Sequence, residues 1–394
     1  AFGYGALLNQ GPSSSGNADY QNVAVGMHAG YNLSTGKKNV YIGYEAANGN
    51  SSSKATGDDN VFIGNEAGHD ITTGGSNVLI GGNAGDAITT GVYNVALGTN
   101  ALGAATTDND STAIGQQSLG SQNTQTDSHN TGCGYLTGYY LTTGVANTFV
   151  GSLAGFGSSS TALTGNANTC VGYRSGHVLQ GAANDNTLIG KDAGKALTTG
   201  ADNTIVGNTA CDTTLVNGSG NTVIGNNTDT SASGGSNQIV IGSNVDGGGD
   251  STARLGTSSG FATLDIDGSD TSWAASSDER LKKDIADCSV GLNFIKELRP
   301  VTYKWNAKNA VADDLPQYNK DSSDPVYGSG KTQHGFVAQE VKKVIDKYSG
   351  LKDGFTMWSE DPNGTQQVAP AALIPMLVKA IQELEARIAT LEGE

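Results

Sequence analysis

Short apolar triplets, each set between an asparagine and a glycine, recur along the first two thirds of the chain. The pattern Asn-(Val/Thr)-x-(Ile/Val/Leu)-Gly appears as Asn22-Val-Ala-Val-Gly26, Asn39-Val-Tyr-Ile-Gly43, Asn60-Val-Phe-Ile-Gly64, Asn77-Val-Leu-Ile-Gly81 and Asn94-Val-Ala-Leu-Gly98. A variant copy opens at Ser111, and Asn130-Thr-Gly-Cys-Gly134 follows. The series runs on through Asn147, Asn168, Asn186, Asn203 and Asn221 to Asn237, which has one extra residue before Gly242. Most steps are 17 residues long, with 16, 18, 19 and 21 as variants. An Ala-Gly pair follows many of the motif glycines, as at Ala67-Gly68, Ala84-Gly85 and Ala193-Gly194. Thr-Thr-Gly turns close several units at Thr72, Thr89 and Thr198.

Each unit reads as one coil of a parallel β-solenoid. Side chains alternate along a strand, so the Val and Ile at motif positions two and four share one side, the side expected to face inward. One such strand cannot bury its apolar side alone. Stacked coils give each strand two hydrogen-bonded neighbours and a continuous core. Glycine supplies the tight corner, and the asparagine can bond its own turn and stack on the asparagine above. The Ser/Thr/Gly-rich stretches 51–57 and 158–164 read as loops bulging from the stack. At about 4.8 Å per strand, thirteen coils make a rod on the order of 60 Å long. With two or three apolar residues per coil the core is thin, which favours lateral association into a trimer over a lone solenoid.

The language changes near residue 250. Gly247-Gly248-Gly249 ends the repeats, and the stretches beginning at Ala253 and Phe261 predict strands of a short connector. After Ser276 the chain becomes charged and carries Tyr303, Trp305, Phe336, Tyr348 and Trp358, marking a globular domain. The predicted division is therefore 1–245 for the shaft, 246–275 for a β connector and 276–394 for the last domain. The final helix has Ile374, Leu377, Ile381, Leu384, Ile388 and Leu391 at steps of three and four, a heptad seam for association of copies. Leu373 and Val378 widen its apolar face.

Two resemblances sharpen this picture. The repeats over about residues 1–245 resemble the head repeats of trimeric autotransporter adhesins, a left-handed parallel β-roll. The four segments Ser276-Ser-Asp-Glu-Arg-Leu-Lys-Lys-Asp-Ile285, Leu298-Arg-Pro-Val-Thr-Tyr-Lys-Trp305, His334-Gly-Phe-Val-Ala-Gln-Glu-Val341 and Leu373–384 resemble, in that order, the C-terminal intramolecular chaperone of phage tail fibres and tailspikes, the S74 peptidase family. The resemblance implies a homotrimeric chaperone that helps the preceding fibre fold and then cuts itself free. The expected fold is mainly β: a left-handed-type parallel β-solenoid or β-roll shaft, trimeric, then a small α+β chaperone domain ending in a long coiled-coil helix.

By that resemblance the catalytic pair is Ser277 and Lys282, acting once on its own chain at the Ser277–Asp278 bond. A serine hydroxyl needs a base to remove its proton, and a lysine serves only when desolvation leaves its amine neutral. Five residues of continuous α-helix would turn Ser277 and Lys282 about 140° apart. Ser277 is therefore expected just before a helix, with Asp278 and Glu279 in its first turn and Lys282 on the first full turn. Glu279 and His334 are candidates for supporting roles, and His334, Gln339 and Glu340 are equally consistent with structural ones.

Composition narrows the rest. Glycine is 57 of 394 residues, about twice the usual share. The net charge of −16 argues against a nucleic-acid partner, and no apolar run reaches the length of a membrane span. The four cysteines show no metal or redox spacing; Cys133 and Cys170 read as small buried fillers within the repeats. No metal and no cofactor are expected. Gly328-Ser-Gly-Lys-Thr332 imitates a phosphate loop but lacks its first glycine and its leading strand. Ala1 already lies within repeat-like text, which suggests a piece of a longer chain. The functional expectation is a virion tail fibre, made in the host cytoplasm, that contacts a host surface receptor (a glycan or a surface protein). The alternatives are a shaft that degrades polysaccharide, which needs paired carboxylates in a groove, and a trimeric bacterial adhesin head with an uncleaved assembly cap.

Overall fold

The structure, a computed structural model, describes residues 1–11, 20–49, 53–124, 127–268, 274–275, 277–328, 330–351, 355–362 and 364–393. The chain packs as two compact units, Ala1–Ser277 and Asp278–Glu394.

The first unit is a parallel β-solenoid. From β1 (Val23–Val25) to β13 (Ile239–Ser243) every strand pairs in parallel with the next, in simple sequence order. The register matches motif to motif: Val61, Phe62 and Ile63 lie opposite Val78, Leu79 and Ile80. The stretch read as a connector finishes this same sheet. β14 (Thr252–Thr257) is a further parallel strand, and β15 (Gly260–Asp265) and β16 (Ala274–Ala275) turn back antiparallel. Part of the 51–57 stretch lies outside the described residues. Residues 159–161 are exposed, and Leu163 then rejoins the stack between Leu141 and Gly181.

The inward face of the strands is the opposite of the one expected from the sequence. In every triplet the middle residue is buried, and the flanking Val/Thr and Ile/Val/Leu are half-buried or exposed. The inward column is Ala24, Tyr41, Phe62, Leu79, Ala96, Ala113, Gly132, Phe149, Cys170, Leu188, Ile205, Val223 and Val240. Two more columns complete the core: the alanine of the Ala-Gly pair, as Ala67 and Ala84, and an aliphatic residue at the next corner, as Ile71, Ile88, Leu179 and Leu197. A typical coil thus buries three apolar side chains, none of them at the two strand positions the alternation suggests. Cys170 fills the core as expected, whereas Cys133 stands on the outer face and is half-exposed.

The fourth inner column is the asparagine ladder, and here the expectation of stacking holds. Asn60 donates its backbone N–H to Asn39 Oδ1 at 2.8 Å and its side-chain amide to Gly74 O at 3.0 Å. Asn77, Asn94, Asn147, Asn168, Asn186, Asn203 and Asn221 repeat both bonds. The ladder satisfies buried backbone groups at each corner that no strand pairing reaches. Motif glycines are required on two grounds. Gly64 has φ of +146°, and a Cβ there would lie 2.3 Å from Gly81 O in the next coil.

Among the described residues the second unit holds three α-helices and two small sheets. They are α1 (Leu292–Glu297), β17 (Val301–Tyr303), β18 (Gln333–Gly335), α2 (Ala338–Ile345), β19 (Trp358–Glu360), β20 (Gln366–Val368) and α3 (Ile374–Glu392). Strands β17 and β18 pair antiparallel, as do β19 and β20. The core gathers Phe294, Val341, Val344, Ile345, Met357, Leu373 and Met376. Tyr348 meets Phe294 edge-on at 5.3 Å. The Glu383 carboxylate on α3 accepts the Leu292 backbone N–H at 2.9 Å and so ties the start of α1 to α3. Leu373 belongs to this core and not to the helix seam.

Candidate functional site

The segment from Ser277 contains less helix than the sequence suggests. Glu279–Leu281 form a single 3-10 turn, capped by Asp278 and not by Ser277; the Asp278 side chain accepts the Arg280 backbone N–H at 2.9 Å. The Arg280 guanidinium closes on the same carboxylate and holds it below the usual carboxylate range. Lys282 lies past the turn in extended backbone, with its N–H donating to Glu279 O at 3.0 Å. The turn stops early because none of its side chains is buried, and helices this short depend on packing. One local turn therefore gathers Asp278, Glu279 and Lys282, with Ser277 the residue before it.

All of residues 277–287 are exposed in the single chain. That includes the apolar Leu281 and Ile285, which sequence reasoning did not single out. His334 is exposed on β18, opposite Thr302 of β17, and belongs to a different element from the turn. Glu340 forms a two-pronged ion pair with Arg299, at 2.5 and 2.9 Å. Arg299 holds the Glu340 carboxyl below its ordinary range, a structural role linking α2 to the end of α1.

Helix α3 divides cleanly by face. Met376 and Ala380, one turn apart, are its buried residues. The seam residues Ile374, Leu377, Ile381, Leu384, Ile388 and Leu391 are between 42% and 87% exposed. Six aliphatic side chains in heptad order are thus unpacked within one chain.

The shaft carries a second uncovered apolar surface. Val25, Ile42, Leu97, Ile114, Val150, Ile189 and Ile224 stand at motif position four, and Ile241 and Leu255 continue the column by register, each 36–44% exposed. Because the strands are in register, these residues form one ribbon along the stack. The sequence did carry the signal, since the ribbon positions are aliphatic in every coil but the one with Cys133, and mostly Val or Ile.

Among the described residues no cluster of His, Cys, Asp and Glu could hold a metal, and no helix is long and apolar enough to cross a membrane. Neither curated proteins nor solved structures gave a match to this chain. Residues 277–349 match a protein-family model, Peptidase_S74, described as the chaperone of endosialidase, and this matched segment follows the parallel β-solenoid in the chain.

Proposed function

We propose that this chain is the end of a trimeric phage tail fibre, whose chaperone domain aligns three chains and is then released by a cut between Ser277 and Asp278. The observation that carries the reading is a coincidence of positions. The family match opens at Ser277, and the two compact units divide at the Ser277–Asp278 bond. A cut there would leave the solenoid whole and free the chaperone as an intact unit. Trimerisation is supported by the two apolar surfaces left open in one chain, the position-four ribbon and the α3 seam.

The chemistry favours attack between chains. Ser277 Oγ attacking its own carbonyl would close a strained four-membered ring. In the proposed step, Ser277 Oγ of one chain attacks the Ser277 carbonyl carbon of a neighbour. The Lys282 amine takes the hydroxyl proton and passes it to the departing Asp278 nitrogen, and water then hydrolyses the ester. A lysine acting as base must be desolvated, and Lys282 is exposed in the single chain. A neighbouring chain seated over Leu281 and Ile285 would supply that cover, so cutting would follow assembly. In the virion the mature shaft would then contact a host surface receptor.

The test is a denaturing gel with intact-mass analysis of the full chain beside Ser277→Ala and Lys282→Ala. The expected wild-type products meet at Ser277/Asp278, and both variants remain whole. An uncut, trimeric wild type would leave the domain as a permanent assembly cap. Mixed trimers decide the route: if Ser277→Ala chains are never cut by wild-type neighbours, the attack between chains is wrong.

A further inference from the structure

The residue five places after each motif glycine forms a column on the solenoid surface, one member per coil; from Gly43 to Gly190 it reads Asn48, His69, Asp86, Gly103, Gly120, Tyr139, Phe156, His177 and Lys195. On one side of the two glycines the column is an aromatic stack. Tyr139 and Phe156 are near-parallel (14°) with centroids 6.0 Å apart, and Phe156 and His177 follow at 18° and 5.3 Å. Tyr140 braces Tyr139 edge-on at 4.8 Å. On the other side stands the half-buried Asp86. Between them two successive coils contribute no side chain, across three coil spacings of about 14 Å in all. The result is a cleft of about 330 Å³ lined by Asp86, Asn100, Gln117 and Tyr139 over the two glycines.

Backbone conformation does not demand these glycines. Unlike the corner glycines, neither Gly103 nor Gly120 has a positive φ. A Cβ at Gly103 would come no closer than 3.3 Å to Asn100 O and 3.7 Å to Asp86 Oδ1. At Gly120 a Cβ would lie 2.9 Å from two Tyr139 ring carbons, so its absence lets that ring lean into the cleft. The cleft is therefore a feature of side-chain choice, placed where a rigid aromatic wall is already built.

We infer that this cleft is a binding subsite for a neutral pyranose sugar. A pyranose has an apolar C–H face that suits an aromatic ring, and hydroxyls that both donate and accept. Asp86 accepts from hydroxyls, and the side-chain amides of Asn100 and Gln117 do both. No lysine or arginine lines the cleft, and the chain carries a net charge of −16. Phosphorylated or carboxylated ligands, sialic acids and uronates included, are thereby disfavoured. The volume falls within the range of small-ligand sites. The inference names a ligand class for the shaft and stands apart from the cutting chemistry: a chain that never cleaves can still bind.

The test uses the full chain and saturation-transfer NMR titration with methyl glycosides of glucose, galactose, mannose and N-acetylglucosamine. Sialic acid, glucuronate and adenosine serve as comparison probes. At least one neutral glycoside is expected to bind saturably. Gly103→Phe, which fills the cleft, and Tyr139→Ala, which removes its wall, should each weaken that binding about tenfold or more, equivalent to about 1.4 kcal/mol. Lys195→Phe, in the same column far up the stack, should bind as wild type. Thermal unfolding midpoints check that each variant is folded, and Gly103→Phe alone is decisive if Tyr139→Ala fails to fold. No neutral binding, binding unchanged in Gly103→Phe, or tighter binding of an acidic sugar or of adenosine would each overturn the inference.

Discussion

Replacing Asn77 with alanine tests whether the asparagine ladder holds the shaft together. Asn77 is fully buried. Its Oδ1 accepts the Asn94 backbone N–H at 2.9 Å and the Asn94 side-chain amide at 3.1 Å, and its Nδ2 donates to Gly91 O at 2.8 Å. Alanine strands two buried backbone groups, the Asn94 N–H and the Gly91 carbonyl. Each unsatisfied group costs about 1–3 kcal/mol, so the coil should lose roughly 2–6 kcal/mol, about 4 at the midpoint. In a stack of coupled coils this loss is felt locally. Hydrogen exchange should therefore show protection of the Asn94 amide falling by about a hundredfold or more, at about 1.4 kcal/mol per decade, with coils beyond Gly151 little changed. Serine should fare little better than alanine. Where Ser111 occupies the ladder naturally, Gln122 and Ser128 are both brought to its hydroxyl, at 2.8 and 2.6 Å, to close the gap. Unchanged protection at Asn94, together with a stability change under about 0.5 kcal/mol (the range of an ordinary surface substitution), would refute the ladder as a source of stability.

The two strand faces predict opposite outcomes for adjacent residues. Leu188→Asp places a charge in the core and should abolish the folded shaft by circular dichroism, whereas Ile189→Asp should keep the fold and dissociate the proposed oligomer in sedimentation. Thiol labelling reports the same division: Cys133 should react in the dissociated chain and be shielded in the assembled one. Cys170, whose burial pushes its thiol well above the ordinary range, should stay unlabelled in both. Acid should also act through Asp192. Burial pushes its carboxyl up, but Arg174 at 2.7 Å, with Lys191 and Lys195, outweighs burial and holds it below the usual range. A depressed native value contributes stability above the unfolded-state value of about 3.9, and that contribution is lost as pH falls through the native value. The melting temperature of wild type should thus fall more steeply below about pH 4 than that of Asp192→Asn; equal slopes would exclude the pair as a source of acid sensitivity.

The repeat, its parallel stacking, the asparagine column and the corner glycines were all legible in the sequence, because each is fixed by backbone hydrogen bonding or by φ. The facing of the triplets was not. Alternation alone marks Val61 and Ile63 as a pair on one side and Phe62 on the other, but it does not say which side is inward when both are apolar. Fit within each coil settles it. The inward column ranges from Gly132 to Phe149, its volume offset by neighbours: a Cβ at Gly132 would collide with Ser118 Oγ at 2.4 Å, whereas Phe149 fills the space over Gly138 and Gly155. A column that is never charged yet varies from Gly to Phe is a core column; one that keeps to mid-sized, mostly Val or Ile side chains is a flat surface suited to a partner. The cleft at Gly103 was missed for a related reason. Its glycines look like the structural ones in text, and Gly103 is told apart by an ordinary φ together with the open space around its Cα.

At the candidate cutting site the sequence named residues but could not supply their setting. A helix was inferred from Asp278, Glu279 and the lysines that follow, which are good first-turn and helix-forming residues. Yet the apolar residues that would anchor such a helix, Leu281 and Ile285, find nothing to pack on within one chain. The α3 seam and the position-four ribbon show the same mismatch, with strongly patterned apolar residues left in solvent. These three surfaces lie on different elements, so no single local rearrangement of one chain would bury them all, whereas association with further copies could cover each. Under the proposed route the exposure of Lys282 in a lone chain is then a safeguard: a chain that has not assembled lacks the desolvated base, and its cut waits for its neighbours.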